Sequence, residues 1–359
     1  MNMQGLNYLS EVEKLKLFKN IRIGMSSEEE FDVFLSSVED NKNKGEIKRR
    51  INGLFLEDEF ALLCFFMEVC SSLTSLGQSP VNNIDIKVPD YLASFYMPKG
   101  KELKCFIEVK TSNTLETKKL SNSFLNKYSV FCHRFQHPLF IASRIHQNNL
   151  LFWILQSEHE FIDSGRKIEV SNLTNNSGCI LLDDWFISTI NALTVTIQFS
   201  EHPLVSQARY EDKGYLHQIT VSQKHGDKIC KFSLNEQEFV LNAFLDEFQS
   251  NDIYLKEKNI LIREIPEFSS DLLSSLLLKM NMRVIDSNSP DDRLNASRML
   301  VKIESGYKSY INKSYLKNII DILNKKSESS GAGIIFAPMG IGSDYDRKKK
   351  MAELLKLCR

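Results

Sequence analysis

The stretch that most constrains this chain is Val88-Pro89-Asp90 followed by Glu108-Val109-Lys110, with seventeen residues between the two acids. The second triplet sits inside Lys101–Thr111, whose apolar members Cys105, Phe106, Ile107 and Val109 predict a central strand. Side chains alternate faces along a strand, so Glu108 and Lys110 point the same way. Charges on a central strand need a partner or a task. Two carboxylates aimed at one point repel each other and attract a hard divalent cation. A lysine beside them can contact a phosphate or an attacking water. The plainer alternative for Glu108 and Lys110 is a solvated strand edge carrying a cross-strand ion pair.

The surroundings add regular elements. Ile84, Ile86 and Val88 share one face of an expected first strand, with Asp85, a second acid near the site, and Lys87 on the other. Pro98-Lys99-Gly100-Lys101 predicts a hairpin turn. Leu54–Leu73 predicts an apolar helix that also carries Glu57, Asp58, Glu59 and Glu68. Asn122–Phe135 predicts another, with Phe124, Leu125, Tyr128, Phe131, Cys132 and Phe135 on its apolar side. Pro138–Arg144 and Leu150–Leu155 suit buried strands, joined through His146-Gln147-Asn148-Asn149.

Pro89-Asp90…Glu108-Val109-Lys110, within that order of helix, strand, strand, helix and strand, resembles the PD-(D/E)xK nuclease superfamily over roughly residues 50–160. The resemblance implies a restriction-endonuclease-like core, an α+β or α/β fold with a central mixed sheet flanked by helices. It implies Asp90, Glu108 and Lys110 as catalytic residues. It also implies Mg²⁺, with Mn²⁺ able to substitute, held by Asp90, Glu108 and the carbonyl of Val109. A glutamate on the preceding helix often completes such a site. Glu59 is the first choice and Glu57 the second, against the simpler reading of acids favoured by the helix dipole in a first turn. Lys127, on the following helix, is a candidate phosphate contact. The implied activity is metal-dependent hydrolysis of DNA phosphodiester bonds, in restriction or antiphage defence. The alternative is a non-catalytic nucleic-acid-binding or scaffold subunit on the same fold. DNA is the implied partner, with a partner subunit or a second copy of the chain beside it.

With 359 residues, 42% hydrophobic and 25% charged, the chain has the composition of a globular protein of two or three domains. A net charge of −1 gives no global attraction to a polyanion, so nucleic-acid contacts must come from local basic patches. The run from Lys42 to Arg50 is one, and Lys48, Arg49 and Arg50 in it read either as a solvated face or as backbone contacts. Seven scattered cysteines without a CxxC pair argue against structural zinc and for reduced thiols in the cytoplasm. Residues 1–5 lack a charged n-region and an apolar h-region, so no signal peptide is expected. The longest apolar run, Ala61–Val69, is too short to span a membrane.

Four segments are expected. Residues 1–53 form an N-terminal helical segment, with Ser26-Ser27 starting a helix, and residues 54–160 form the nuclease-like core. Residues 161–232 form a small β-rich segment. Residues 233–359 form a mixed, largely helical domain, winged-helix-like or partner-binding, with helices starting near Ser233 and Ser269. Residues 329–342 are glycine-rich but lack the Gly-Lys-Ser/Thr of a phosphate loop, so they read as turns around a short strand. Arg347–Lys350 is basic on a last helix, and His133, His137 and His146 lack ligand spacing.

Overall fold

The computed structural model describes residues 8–40, 42–77, 86–112, 118–147, 150–168, 176, 178–203, 209–210, 212–223, 229–232, 236–283, 292–327, 333–338 and 344–358. Asp85 and the strand start at Ile84 lie outside them, as do Asn148-Asn149, the helix start at Ser233 and both ends of the glycine-rich stretch. The chain forms two compact units. The first takes residues 1–183, 282–309 and 339–359, and the second takes 184–281 and 310–338. The units cross the boundaries expected at 53, 160 and 232. Helices from residues 1–53 share a core with the helix that follows, and one sheet runs across residue 232.

The first unit opens with α1 (Glu11–Gly24), capped by Ser10, whose hydroxyl accepts from the Glu13 N–H while the Glu13 carboxylate accepts from the Ser10 N–H. Then comes α2 (Glu28–Val38), which starts on Ser27 with three glutamates in its first turn. The next helix, α3 (Lys44–Phe66), begins earlier and ends sooner than the apolar pattern predicts. It takes in the basic run, and the chain turns away at Glu68, with a left-handed φ of 54°. Cys70 and Leu73 therefore belong to β1 (Cys70–Ser75). Glu57 and Glu59 lie deep inside α3 and not in a first turn. The strand expected from Ile84 is also shifted: residues 86–89 pair with no strand, and β2 (Tyr91–Met97) begins just after Asp90. It turns at Lys99 and Gly100, both at positive φ, into β3 (Lys101–Ser112).

A two-residue strand β4 (Lys118–Lys119) precedes α4 (Asn122–Phe135), which Ser121 caps and left-handed Gln136 ends. There follow β5 (Leu139–Gln147), β6 (Leu150–Ser157), α5 (Glu158–Asp163), β7 (Lys167–Ile168), which pairs with β4, and α6 (Gly178–Leu181). His146 and Gln147 thus extend a strand where a loop was expected.

The main sheet has the order β1-β2-β3-β5-β6. The pair β3 and β5 is parallel, with α4 as its crossover, and the other pairs are antiparallel. Phe106 of β3 meets Phe131 and Phe135 of α4 with centroids 5.2 and 6.1 Å apart. Phe60 of α3 meets Tyr91 and Trp153 at 6.4 and 5.2 Å. Helices thus flank a mixed sheet on both faces, in the expected order with β1 added in front. Leu103, Cys105, Ile107, Phe140 and Ala142 are buried, as the centre of such a sheet requires. Each large apolar side chain buried there contributes about 1.5–3 kcal/mol. Phe18, Phe31, Leu35, Ile51 and Phe55 join α1, α2 and α3 in a second cluster.

The second unit contains β8 (Trp185–Thr189), β9 (Leu193–Ser200), β10 (Arg209–Tyr210), β11 (Gly214–Gln223), β12 (Ile229–Phe232), α7 (Glu236–Asp246), β13 (Asn251–Leu255), β14 (Ile260–Ile265), β15 (Ser270–Leu272) and α8 (Leu273–Arg283). The chain returns to the first unit as α9 (Asp292–Glu304), adds α10 (Lys313–Ser327) and β16 (Ile334–Pro338) to the second, and ends in the first as α11 (Asp344–Leu357). An antiparallel sheet has the order β10-β11-β9-β14-β13, with β12 also on β11, and a small sheet has the order β15-β8-β16. Residues 233–325, expected to be helical, thus hold three strands as well. Two of the three, β13 and β14, complete the larger sheet and lie between α7 and α8 in sequence. Among the described residues no helix is long and apolar enough to cross a membrane.

Candidate functional site

Asp90 stands at the bend immediately before β2. The pairing of β2 with β3 ends at Tyr91 and Ile107, so among the described residues no strand lies opposite the main chain beyond Ile107 on that side. The Asp90 side chain fills that place: its Oδ2 accepts from the Val109 N–H at 2.7 Å. The Asp90 carbonyl accepts from the Leu76 N–H at 2.9 Å on the other side. Asp90 is therefore tied to β3 through its side chain and to the residue after β1 through its carbonyl.

Glu108 and Lys110 share a face of β3, as alternation predicts. The Lys110 ammonium donates to Glu108 Oε1 and, at 3.1 Å, to the Val109 carbonyl. Tyr128 of α4 donates its hydroxyl to the same Glu108 oxygen at 2.7 Å. Asp90 is 5% exposed and Glu108 2%, so neither carboxylate is a surface charge. Glu108 Oε2 is buried and has no hydrogen-bond partner among the described residues. Ser143, beside Lys110 on β5, has a buried hydroxyl in the same state. Buried polar atoms are rarely left so without a reason.

Glu57 of α3, Asp90, Glu108 and Lys110 line one cleft of about 490 Å³, with Arg49 and Arg50, Lys87, Phe124 and Tyr128 also in its walls. Burial pushes the Glu57 carboxyl up to about 7, with Glu108 and Asp58 adding to the rise and Lys19 and Lys110 opposing it. Burial and then the charges of Glu108 and Glu57 hold Asp90 well above the usual carboxylate range. Burial works against the Lys110 ammonium, but Glu108 and Asp90 outweigh it and raise its pKa. The acids and the Lys110 ammonium thus hold one another in place.

The other expected residues divide. Glu59, the first choice on α3, is fully buried on a different set of partners: Arg144 Nε donates to its two oxygens at 2.8 and 3.0 Å, and Trp153 Nε1 to one of them at 3.0 Å. Of the two glutamates, it is Glu57 that shares the cleft. Lys48 is held by Glu28 at 2.9 Å and by Asp32, both on α2. Arg49 pairs with Glu46 at 2.6 Å and Arg50 with Glu11 at 3.1 Å, and both reach the cleft. Lys127 is half-buried on α4 and is not among the cleft's lining residues. Tyr128 was legible only as an apolar helix residue. A tyrosine on a buried stripe needs a partner for its hydroxyl, and the acid-bearing strand under α4 was the nearest source of one.

Among the described residues no three Asp, Glu, His or Cys side chains form a ready-made cation cage. The donors still suit a hard cation, which favours carboxylate and carbonyl oxygens with water completing its coordination. Asp90, Glu108 and the Val109 carbonyl are such donors, and Glu108 Oε2, without a hydrogen-bond partner among the described residues, has a lone pair to offer.

No protein-family model matches the chain, and no curated protein matches it. Among solved structures the chain is similar to that of Hjc from Archaeoglobus fulgidus, a Holliday junction resolvase from an archaeal hyperthermophile. The two are 16% identical, over 32% of this chain and 92% of that one, with a TM-score of 0.21.

Proposed function

We propose that the chain is a Mg²⁺-dependent endonuclease that hydrolyses phosphodiester bonds of DNA, with Mn²⁺ able to replace Mg²⁺. What supports this is one observation: Asp90, Glu108 and Lys110 meet in a single cleft, two acids and one base, with a buried Glu108 oxygen left unsatisfied. Asp90 and Glu108 would hold the cation, with the Val109 carbonyl as a third ligand and Glu57 lining the same cleft. A bound Mg²⁺ supplies Lewis acidity, easing loss of a proton from water and neutralising charge on a phosphate.

The chain's own groups do the rest. Tyr128 and the Val109 N–H fix the two carboxylates so that they need not reorganise. Lys110 keeps its proton, and its ammonium is placed to meet charge growing on a phosphate oxygen. Arg49 and Arg50 stand at the cleft wall, each paired with a glutamate, where a phosphate backbone would compete for them. A role in restriction or antiphage defence, and a cytoplasmic setting, rest on the family resemblance and the cysteine usage of the sequence. A partner subunit or a second copy of the chain would share the work of recognising DNA.

Plasmid cleavage tests the proposal. Wild type is expected to nick or linearise plasmid with Mg²⁺ or Mn²⁺ and not with EDTA, and Lys110→Ala is expected to leave it intact. Equal behaviour of the two proteins would sink the proposal.

A further inference from the structure

We infer that Lys87, which lies outside the acid-and-lysine motif, is a second phosphate-binding cation of this cleft and takes the DNA phosphate next to the scissile one. The inference rests on the nuclease reading above. Lys87 lies in the segment that leads into Asp90, and its side chain is exposed while it lines the cleft. Its main chain is fastened to α4, where the Lys87 N–H donates to the Lys127 carbonyl at 3.1 Å. Its ammonium lies 5.1 Å from the centre of the Phe124 ring and 5.8 Å from that of Tyr128. Lys110 lies 5.0 Å from the same Phe124 ring. One aromatic ring thus holds two ammonium groups at the cleft.

The two are not equivalent. Lys110 has Glu108 as a counter-ion, whereas Lys87 forms no ion pair among the described residues. The other cations near the cleft are engaged: Arg49 with Glu46 and Arg50 with Glu11. Two positive groups on one ring, only one of them neutralised, favour an anion that offers more than one charge. A phosphodiester backbone does so, with one phosphate facing Lys110 and the next facing Lys87. A charge-assisted bond to phosphate is stronger than contact with an aromatic face, so the side chain leaves the rings when the backbone arrives.

The test compares wild type, Lys87→Ala and Lys87→Arg. Because Lys87 is exposed, both variants should fold, and circular dichroism checks this. Binding of a fluorescein-labelled DNA duplex is read by anisotropy in Ca²⁺ over a series of salt concentrations, and cleavage is read in Mg²⁺. Lys87→Ala is expected to weaken binding about tenfold at low salt and to reduce the slope of log K against log salt by about one. Its KM should rise by a similar factor with kcat within about twofold, the pattern of lost uniform binding. Lys87→Arg should restore both. If Lys87→Ala binds and cuts like a cleaving wild type, Lys87 is only a solvated lysine and this inference falls while the nuclease reading stands. If wild type neither binds nor cuts DNA, both fall together.

Discussion

Two clusters of buried charge face away from each other across the main sheet. Arg144 follows Ser143 on β5, and Ser143 is the register partner of Lys110, so Arg144 and Lys110 lie on opposite faces. On one face Glu59 has a donor for each oxygen, from Arg144 and Trp153. On the other, Glu108 pairs with the Lys110 ammonium, Asp90 and Glu57 add two more acids to the cleft, and among the described residues Glu108 Oε2 has no hydrogen-bond partner. Burial and charge are common to both. What separates them is the remainder after pairing: the first cluster is closed, and among the described residues the second keeps a buried oxygen without a hydrogen-bond partner. A closed cluster contributes to holding α3 on the sheet. An open one costs stability, and on the proposed function it is kept for what it binds.

The comparison breaks most visibly if the two clusters respond alike to substitution. On the proposed function, Asp90→Asn or Lys110→Ala is expected to lower plasmid cleavage by about 10³-fold or more, since a proposed metal ligand or the charge-stabilising ammonium is lost. Asp90→Asn should also unfold at slightly higher urea than wild type at pH 8, because it removes a repelled carboxylate yet can still accept from the Val109 N–H. Arg144→Ala should do the reverse. It leaves Glu59 charged and buried, and a loss of about 3–5 kcal/mol in urea unfolding is expected. The double exchange Glu59→Leu with Arg144→Met should recover most of that loss, as replacing a whole buried ion pair often does. A cleavage defect in the folded double variant larger than the stability loss explains would mean that the closed cluster also serves the site.

A smaller effect sharpens the contrast further. Tyr128→Phe keeps the ring and removes only the hydroxyl that Glu108 Oε1 accepts from. Groups that orient a metal ligand typically affect affinity or rate by 10- to 100-fold, and the lower end, about tenfold in cleavage, is expected here. Stability should stay within about 1 kcal/mol, because the ammonium of Lys110 still donates to that oxygen.

How much of this could be seen in the sequence depended on which interactions were local. The run around Glu108 was legible as a strand because Cys105, Phe106, Ile107 and Val109 are apolar and flank the charges, and burial then decides between a central strand and a solvated edge. The helix α4 was legible because Ser121 caps a regular apolar stripe. The end of α3 was not. The left-handed residue there is Glu68, where a glycine would have marked the stop, so the apolar pattern ran on into β1. The choice between Glu57 and Glu59 was not legible either, because the residue that claims Glu59 is Arg144, 85 positions away. In the second unit, β14 alternates regularly, but one of its buried positions is Arg263, paired with Asp246 and Asp252. An arginine on the buried face hides a strand from any pattern of apolar residues.

The last contrast is in pH. Glu57 titrates near 7 in the folded protein because burial and neighbouring acids disfavour its charge, whereas in the unfolded chain it titrates near 4.5. Below pH 4.5 both states carry the proton, and Glu57 makes no demand on stability. As pH rises through about 7 the folded protein has to accept a buried negative charge that the unfolded chain accepted earlier, so stability falls over that window. On the order of 1–2 kcal/mol between pH 5 and 8 is expected after allowing for solvent at the cleft mouth. Urea midpoints at the two pH values measure it, and Glu57→Gln should flatten the difference relative to wild type. Saturating Mg²⁺ should recover stability at pH 8 and do little at pH 5, because a cation binds the ionised acids and competes with their protons. If the wild-type and Glu57→Gln curves superimpose in the presence and absence of Mg²⁺, Glu57 belongs with the closed cluster and not with the open one.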